Sequence, residues 1–465
     1  MKCPEPVIRE LIIRNFKSLR EPAPIKLRPI TLLLGPNSSG KTALIQTIIL
    51  LKQTAESRNI LTPIVVRGRY ADLGSYKDMI FRHDINRNLE IGIKLNTQRL
   101  RPSPILLIPP RISRHVYEKA RRMLRTSNFC FLKFTIGLDP LRERIVNKGI
   151  EFSIGEQAYL KISDSHLIGE FDNMPFDIEL DNNIVASFKT TNVLFVTDPF
   201  WPPIARSRIE RYRNEAMLIM LSLLRGSLFQ LQRLLIDKTY YIGPLREYPH
   251  RYYIASGEYP RDVGLRGEYT VEVIYSDFKR REQLYEKLKF WMRKMDIAKD
   301  MRLKSIAEGI YALTILDPKQ KIEINITDIG FGASQLLPII VEGIYARPGS
   351  ILLIEQPEIH LHPKLQAILA DFLIEVAKEG KQIIIETHSE HILLRLRRRI
   401  AEEKITNKDV AIYYFELAEH GTEITNISVD EYGTLESLPK GFFEEDIIDT
   451  YELLMAAARR KGYET

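Results

Sequence analysis

The stretch Gly35-Pro36-Asn37-Ser38-Ser39-Gly40-Lys41-Thr42 decides how this chain is read. It follows a short apolar run, Ile30 to Leu34, that predicts a buried strand. It precedes Thr42 to Lys52, whose pattern predicts a helix. Strand, glycine-rich loop and helix, in that order, make a phosphate-binding loop. The glycines let the backbone curl so that successive N–H groups face phosphate oxygens, and the helix adds the positive end of its dipole. Lys41 then reaches the outer phosphates, and Thr42 offers a hydroxyl to Mg²⁺. A chance glycine turn would share the spacing but would not need the flanking strand and helix. The loop therefore predicts a nucleoside triphosphate site with ATP and Mg²⁺ as cofactors.

Working outward, Val7 to Phe16 reads as a strand leading into this unit. From about Arg99 to Lys304 the character changes. Proline-broken basic sequence comes first (Arg99, Arg101, Arg111, Arg114, Arg121, Arg122, Arg125), then strand-like alternation around Phe131 and Glu151. Helices are expected over about Arg206 to Asp237 and Arg280 to Met295. Beyond Ile322 short apolar runs again alternate with amphipathic helices. Ile351-Leu352-Leu353-Ile354 predicts a buried strand and Lys364 to Lys378 a helix, closed near Gly380. Ile383-Ile384-Ile385 predicts the next strand and His391 to Glu403 the next helix. Strands feeding helices argue an α/β fold with a mostly parallel sheet. The nucleotide head is thus expected in two halves, residues 1–98 and 306–420. A mixed α/β insertion over 99–305 and a tail over 421–465 complete the division.

The 465 residues suffice for two or three domains, and 45% hydrophobic residues can bury a core. The net charge of +7 permits a polyanionic partner without demanding one. Cys3 and Cys130 are the only cysteines, which excludes a disulfide framework and points to a reducing compartment. The opening residues lack the apolar core of a signal peptide, and Ile105 to Ile108 is closed off by Pro109 and Pro110. No apolar run approaches the roughly 20 residues of a spanning helix, so a cytoplasmic protein without a membrane partner is expected.

Two further clusters carry chemistry. Glu355, at the tip of the Ile351 strand, is expected beside the phosphate loop, where it would hold Mg²⁺ directly or through water. Glu386-Thr387-His388-Ser389 closes another buried strand, and ligands gather at the carboxyl ends of strands in parallel sheets. His388 there could donate to a γ-phosphate. Glu358, His360 and His362 carry metal-ligand chemistry, but two histidines two apart on a loop lack a convincing third and fourth partner for a transition-metal site. Tyr240-Tyr241-Ile242-Gly243-Pro244-Leu245-Arg246 reads either as a relay near the nucleotide or as a strand ending in a turn. The basic stretches at Arg99–Arg125, Arg206–Arg213 and Arg395–Arg399 read as solvated faces or as contacts to a nucleic-acid backbone.

Together these stretches resemble the split ABC-type P-loop heads of RecF, of structural-maintenance-of-chromosomes proteins and of overcoming-lysogenization-defect nucleases. The similarity is greatest to prokaryotic predicted ATPases carrying "YIGPLRE", "TDIGFGASQLLPII", "IEQPEIHLHP", "ETHSEHILLRL" and "GFFEED". Some of these are ATPase subunits of Septu-type antiphage systems. The resemblance implies that Glu355 is the Walker B acid and His388 the switch histidine. It sets Gly330 and Gly332 in the signature segment, where one head would cap the ATP of a second. A homodimer through an ATP sandwich, contact with DNA, and a separate nuclease or effector subunit are its implied partners. Ser389 to Thr465 is too short for the Toprim nuclease domain of the last-named relatives.

Three departures qualify the implied activity. Gln356 stands where the family has its catalytic glutamate, and an amide orients water without accepting its proton. Gly330 replaces the signature serine, and His362 replaces the D-loop aspartate. Slow hydrolysis is expected, with Gln356 positioning water, Glu358 as substitute base and His388 at the γ-phosphate. A non-hydrolysing, ATP-dependent assembly module is the alternative, and a transporter ATPase a further one.

Overall fold

The structure, a computed structural model, describes residues 2–21, 23–99, 113–156, 158–163, 165–180, 182–194, 215–254, 257, 259–280, 283–436, 453 and 455. Its first part comprises β1 (Ile8–Arg14), β2 (Ile25–Lys26), β3 (Ile30–Leu34), α1 (Lys41–Glu56), α2 (Tyr76–Met79) and β4 (Leu89–Asn96). There follow α3 (Arg114–Thr126), β5 (Phe129–Asp139), β6 (Arg144–Ile154), β7 (Ala158–Ile162), β8 (His166–Phe171), β9 (Met174–Glu179), α4 (Asn182–Thr190) and α5 (Glu215–Asp237). Next come β10 (Thr239–Ile242), β11 (Tyr253–Ile254), α6 (Thr270–Arg280), α7 (Leu284–Lys294), β12 (Asp300–Ala307), β13 (Ile310–Leu316) and β14 (Glu323–Asn325). The chain continues with α8 (Phe331–Tyr345), β15 (Ile351–Glu355), α9 (Pro363–Lys378), β16 (Gln382–Glu386), α10 (Glu390–Ala401), β17 (Val410–Ala418) and β18 (Gly421–Asn426).

The head is a six-stranded sheet in the order β10-β15-β16-β3-β17-β18. Its first five strands run parallel, and β18 turns back along β17. All residues of β3, β15 and β16 are buried, as expected of parallel strands covered on both faces. Alternate side chains serve two cores. Leu33, Leu353, Ile384 and Phe415 pack with α1 and α5, whereas Leu32, Leu34, Ile354, Ile385 and Ile412 pack with α7 to α10. This is the α/β P-loop architecture that the strand–loop–helix pattern predicts.

A second sheet, antiparallel throughout, runs β2-β1-β4-β5-β6-β7-β8-β9. Buried Gln382 stitches it to the head. Its side-chain oxygen accepts from Val7 and Ile8 N–H at 3.0 Å, and its amide donates to the Ile8 carbonyl at 2.8 Å. Sheets do not respect the linear division of the chain. β4 pairs with β5 across residues 98 and 99, and β10, from the middle of the expected insertion, joins the head sheet beside β15.

Two helix expectations change. The region read as one helix from Arg280 to Met295 holds the end of α6 and the whole of α7, because the Asp277 carboxylate accepts the N–H groups of Leu284 and Tyr285 and restarts the chain there. α5 begins at Glu215 among the described residues, and it corrects the expectation about apolar runs. By length and composition it could cross a membrane, yet more than half of its most apolar part is buried inside the fold. Ala216 to Leu224 are buried against α1 and the antiparallel sheet. Ile105 to Ile108, Arg206 to Arg213 and "GFFEED" (441–446) lie outside the described residues.

Candidate functional site

β3 delivers the chain into the loop at Gly35, whose φ of 136° favours glycine. A Cβ there would meet the Phe415 carbonyl oxygen of β17 at 2.2 Å. Gly40 (φ 100°) is as tightly held, since a Cβ would meet Thr422 Oγ1 at 2.6 Å and Ser18 Oγ at 2.7 Å. Gly40 also caps α1 without a side-chain hydrogen bond, leaving the first N–H groups of the helix for an anion. Pro36, Asn37 and Ser38 form an exposed rim. Ser39 is buried, and its hydroxyl has no hydrogen-bond partner among the described residues. Lys41 Nζ donates to the carbonyls of Gly35 (3.0 Å) and Pro36 (2.6 Å). Burial lowers its pKa, against the opposing pull of Glu386 and Glu358. An orphaned hydroxyl, an open helix end and a glycine cradle all fit a nucleotide phosphate.

The strand order decides which acids face this loop. β16 lies between β3 and β15, so Glu386, not Glu355, ends the neighbouring strand. Thr42 Oγ1 donates to Glu386 Oε2 at 2.8 Å. Glu355 pairs in register with Glu386 one strand further out, so both carboxylates rise from the same face. The expectation that the Glu355 strand adjoins the loop is corrected accordingly. Glu386 sits in a stretch singled out for His388, but a sequence cannot say which of two acid-tipped strands is the neighbour. The donors Thr42, Glu386 and Glu355 are hard oxygens suited to Mg²⁺. No group of three or more His, Cys, Asp or Glu forms a metal cage among the described residues, so the remaining ligands would be phosphate and water. Bound there, Mg²⁺ would neutralise charge on the outer phosphates.

The Tyr240–Arg246 stretch lies against the acidic end of β15. Tyr241 donates to Glu355 Oε1 at 2.9 Å, and Arg246 Nη2 donates to the Glu355 carbonyl at 2.8 Å. Gln356 has a positive φ of 43°, and its N–H donates to the Glu386 carbonyl at 2.7 Å. Glu358 accepts from Thr387 Oγ1 at 2.7 Å and from the His388 N–H at 2.6 Å. Burial raises the Glu358 pKa against those two bonds. His388 stands at the rim, and partial desolvation there, then the Lys41 charge, lowers its pKa, favouring the neutral imidazole. Gln356, Glu358 and His388 are thus brought to the end of the sheet where Lys41 and Thr42 stand.

In the segment expected to be the signature, Gly330 caps α8, and a Cβ there would meet nothing within 4 Å, so sterics do not exclude a serine. Gly332 is different: a Cβ would meet the His360 carbonyl oxygen at 2.2 Å. Close packing of α8 on the turn after β15 therefore accounts for this glycine. His362 caps α9, its Nδ1 accepting from the Lys364 N–H at 3.3 Å, with Pro363 in the first turn.

A phosphate loop on a parallel sheet, with a hydroxyl and two carboxylates at its end, defines a P-loop ATPase. The chain belongs to the AAA ATPase domain family, which matches residues 7–190 and 272–393, together more than half its length. Residues 405–453 match a family described as a protein of unknown function (DUF3696). No curated protein matches the chain. Among solved structures it is similar to an SmcHead bound to the C-winged helix domain of ScpA, at 13% identity and TM-score 0.44, covering 92% of this chain and 99% of that one. An Smc head domain with an extended coiled coil, bound to the C-terminal domain of ScpA derived from Pyrococcus furiosus, gives 12% identity and TM-score 0.43, over 97% and 100%. The SMC head domain from Thermotoga maritima gives 11% and 0.37, over 91% and 100%.

The facing carboxylates have a consequence for pH. Burial, then Glu386, pushes the Glu355 pKa up to about 7, against Tyr241, Arg246 and Lys17. Below that pH the nucleotide-free protein holds a proton that the unfolded chain would release near the ordinary carboxylate value. This group's contribution to stability therefore falls as pH rises towards 7. A Mg²⁺ ion held by Glu355 would displace that proton, so with this role MgATP binding is expected to release protons at pH 6 and to tighten as pH approaches 7. Calorimetry at pH 6 in two buffers of different ionisation enthalpy counts them. Zero release there would remove Glu355 from the binding face.

Proposed function

We propose that this ATPase is a slow, dimerising nucleotide switch. MgATP binds on Gly35 to Thr42 with Glu386 and Glu355 at the cation. The signature segment at Gly330 and Gly332 caps the nucleotide of a second copy. The observation that carries the reading is the convergence of Thr42, Glu386, Glu355, Glu358 and His388 at the carboxyl end of one parallel sheet. Within each site, Lys41 leaves its own loop carbonyls for phosphate oxygens, His388 donates to the γ-phosphate, and Glu358 or Gln356 orients the attacking water. An amide at position 356 is the support for slowness. It also favours a second reading, in which ATP holds an assembly together without turnover.

The output is proposed to be DNA or a separate effector, as in defence or repair. Helix α3 supports DNA. Arg114, Arg121, Arg122 and Arg125 are all exposed on it, without an ion-pair partner among the described residues. The Arg395–Arg399 stretch offers less, because Arg395 and Arg399 pair with Asp371 at 2.8 and 2.6 Å and Arg398 with Glu402 at 2.7 Å. Sedimentation with a non-hydrolysable ATP analogue, with ADP and with neither, repeated with duplex DNA across a salt series, tests both parts. A dimer is expected with the analogue only, together with DNA affinity that falls steeply with salt. An identical monomer in all three states would end the switch reading. Salt-independent DNA affinity, or none, would leave the effector as the output.

A further inference from the structure

Arg246 occupies an expensive position. It is 5% exposed, and its Nε and Nη1 groups have no hydrogen-bond partner among the described residues. Only Nη2 is engaged, on the carbonyls of Glu355 (2.8 Å) and Gln356 (3.4 Å). The Glu358 and Glu355 carboxylates offset its charge, but leaving two guanidinium nitrogens without a hydrogen bond in the interior is unfavourable. The two carbonyls it holds flank the point where the chain leaves β15 and enters the left-handed conformation at Gln356. A non-glycine residue in that region persists only where its surroundings hold it there.

The backbone of Arg246 reaches the other way. Its carbonyl and that of Glu247 accept from the Gln335 side chain, in the first turns of α8, at 3.5 and 3.4 Å. Glu247 N–H donates to the Arg266 carbonyl at 2.9 Å, and the segment around Arg266 is braced along α8 at two more points. Val263 N–H donates to Glu342 at 2.9 Å, and Gly267 approaches Pro338 so closely that a Cβ would lie 2.5 Å from the ring. One residue therefore joins the turn that carries Gln356 and Glu358 to the helix that Gly330 caps.

We propose that Arg246 is a positioning residue for ATP hydrolysis: its guanidinium sets the Glu355–Gln356 turn, and its main chain ties that turn to helix α8. A shift of α8, such as a second subunit or an effector would impose, is thereby transmitted to the groups around the attacking water. The proposal rests on the ATPase reading of the same site. It is distinct from nucleotide binding, which falls to the loop on β3.

The test compares the full-length protein with Arg246→Ala, Arg246→Lys and Gln335→Ala. Steady-state hydrolysis, equilibrium ATP binding and amide hydrogen exchange are measured on each. Arg246→Ala is expected to lower kcat by more than tenfold while KM and ATP affinity stay within about twofold, since the interaction matters to the transition state and not to binding. Arg246→Lys, which keeps a donor for the Glu355 carbonyl, should recover part of kcat. Gln335→Ala, which removes no buried charge, should lower kcat by about threefold. In Arg246→Ala, exchange should accelerate at Gln356 and in the first turns of α8 but not at Lys41 and Thr42. Unchanged kcat in Arg246→Ala, or raised KM with kcat intact, would overturn the proposal. So would unaltered exchange at Gln356 and α8, even in a protein that hydrolyses nothing. A wild-type chain that binds ATP without hydrolysing it would instead count against the ATPase reading, and the exchange data would still decide the role of Arg246.

Discussion

Glu386→Ala is expected to reduce MgATP turnover by about 100-fold and to raise the Mg²⁺ concentration needed for half-maximal activity by about tenfold. Glu386 is the acid that Thr42 touches, at 2.8 Å, and it ends the strand next to the phosphate loop. Glu386→Gln separates charge from geometry. It keeps an oxygen for the Thr42 hydroxyl but no negative charge for the cation, so its Mg²⁺ requirement should rise nearly as far. A coupled effect follows at Glu355, whose proton is held partly by the Glu386 charge. Removing that charge should lower the pH at which MgATP binding releases a proton. Turnover within threefold of the unmodified protein at all Mg²⁺ concentrations would show that Glu386 only anchors Thr42, leaving Glu355 as the cation's acid.

Glu358→Ala is expected to collapse turnover, by about 100-fold or more, whereas Gln356→Ala should keep most of it. Glu358 is a carboxylate with two of its acceptor sites used, by Thr387 Oγ1 and the His388 N–H. The remaining lone pairs can take a proton from water, which the Gln356 amide cannot do. Because Glu358→Ala also strands the His388 N–H, Glu358→Gln is the cleaner arm, keeping an acceptor but no base. Gln356→Glu should raise turnover by about tenfold if slowness comes from the missing carboxylate. Activity lost in Gln356→Ala and kept in Glu358→Gln would reverse the assignment. A turnover near the roughly 10 s⁻¹ typical of enzymes in the unmodified protein would remove the slow switch altogether.

Much of this was legible in one dimension because phosphate binding is a local problem. The anion-facing backbone of Gly35 to Thr42 is made by its own turns and the start of α1, so the loop reads directly from residue type and spacing. The same holds for β3, β15 and β16, whose uninterrupted apolar runs announce strands covered on both faces. Helices were harder at their ends. The restart of α7 depends on Asp277 capping N–H groups seven and eight residues on, a contact that no periodicity signals.

What the amino-acid order determined by itself is the phosphate loop and the acid-tipped strands, each encoded within a dozen neighbouring residues, and the α/β class, encoded in their alternation with helices. Which acid meets Thr42 was decided only in three dimensions. Parallel strands are joined by crossovers, so strand order is set by helix packing and not by chain order. That is how Glu386, far along the chain, comes to lie nearer the loop than Glu355. The same packing brought β10 out of the middle of the chain to the flank of β15, placing Tyr241 and Arg246 on the acidic turn. Glycine tells the same story. At Gly35 local backbone and tertiary approach both require it, but at Gly332 the reason is the His360 carbonyl, brought close by the fold.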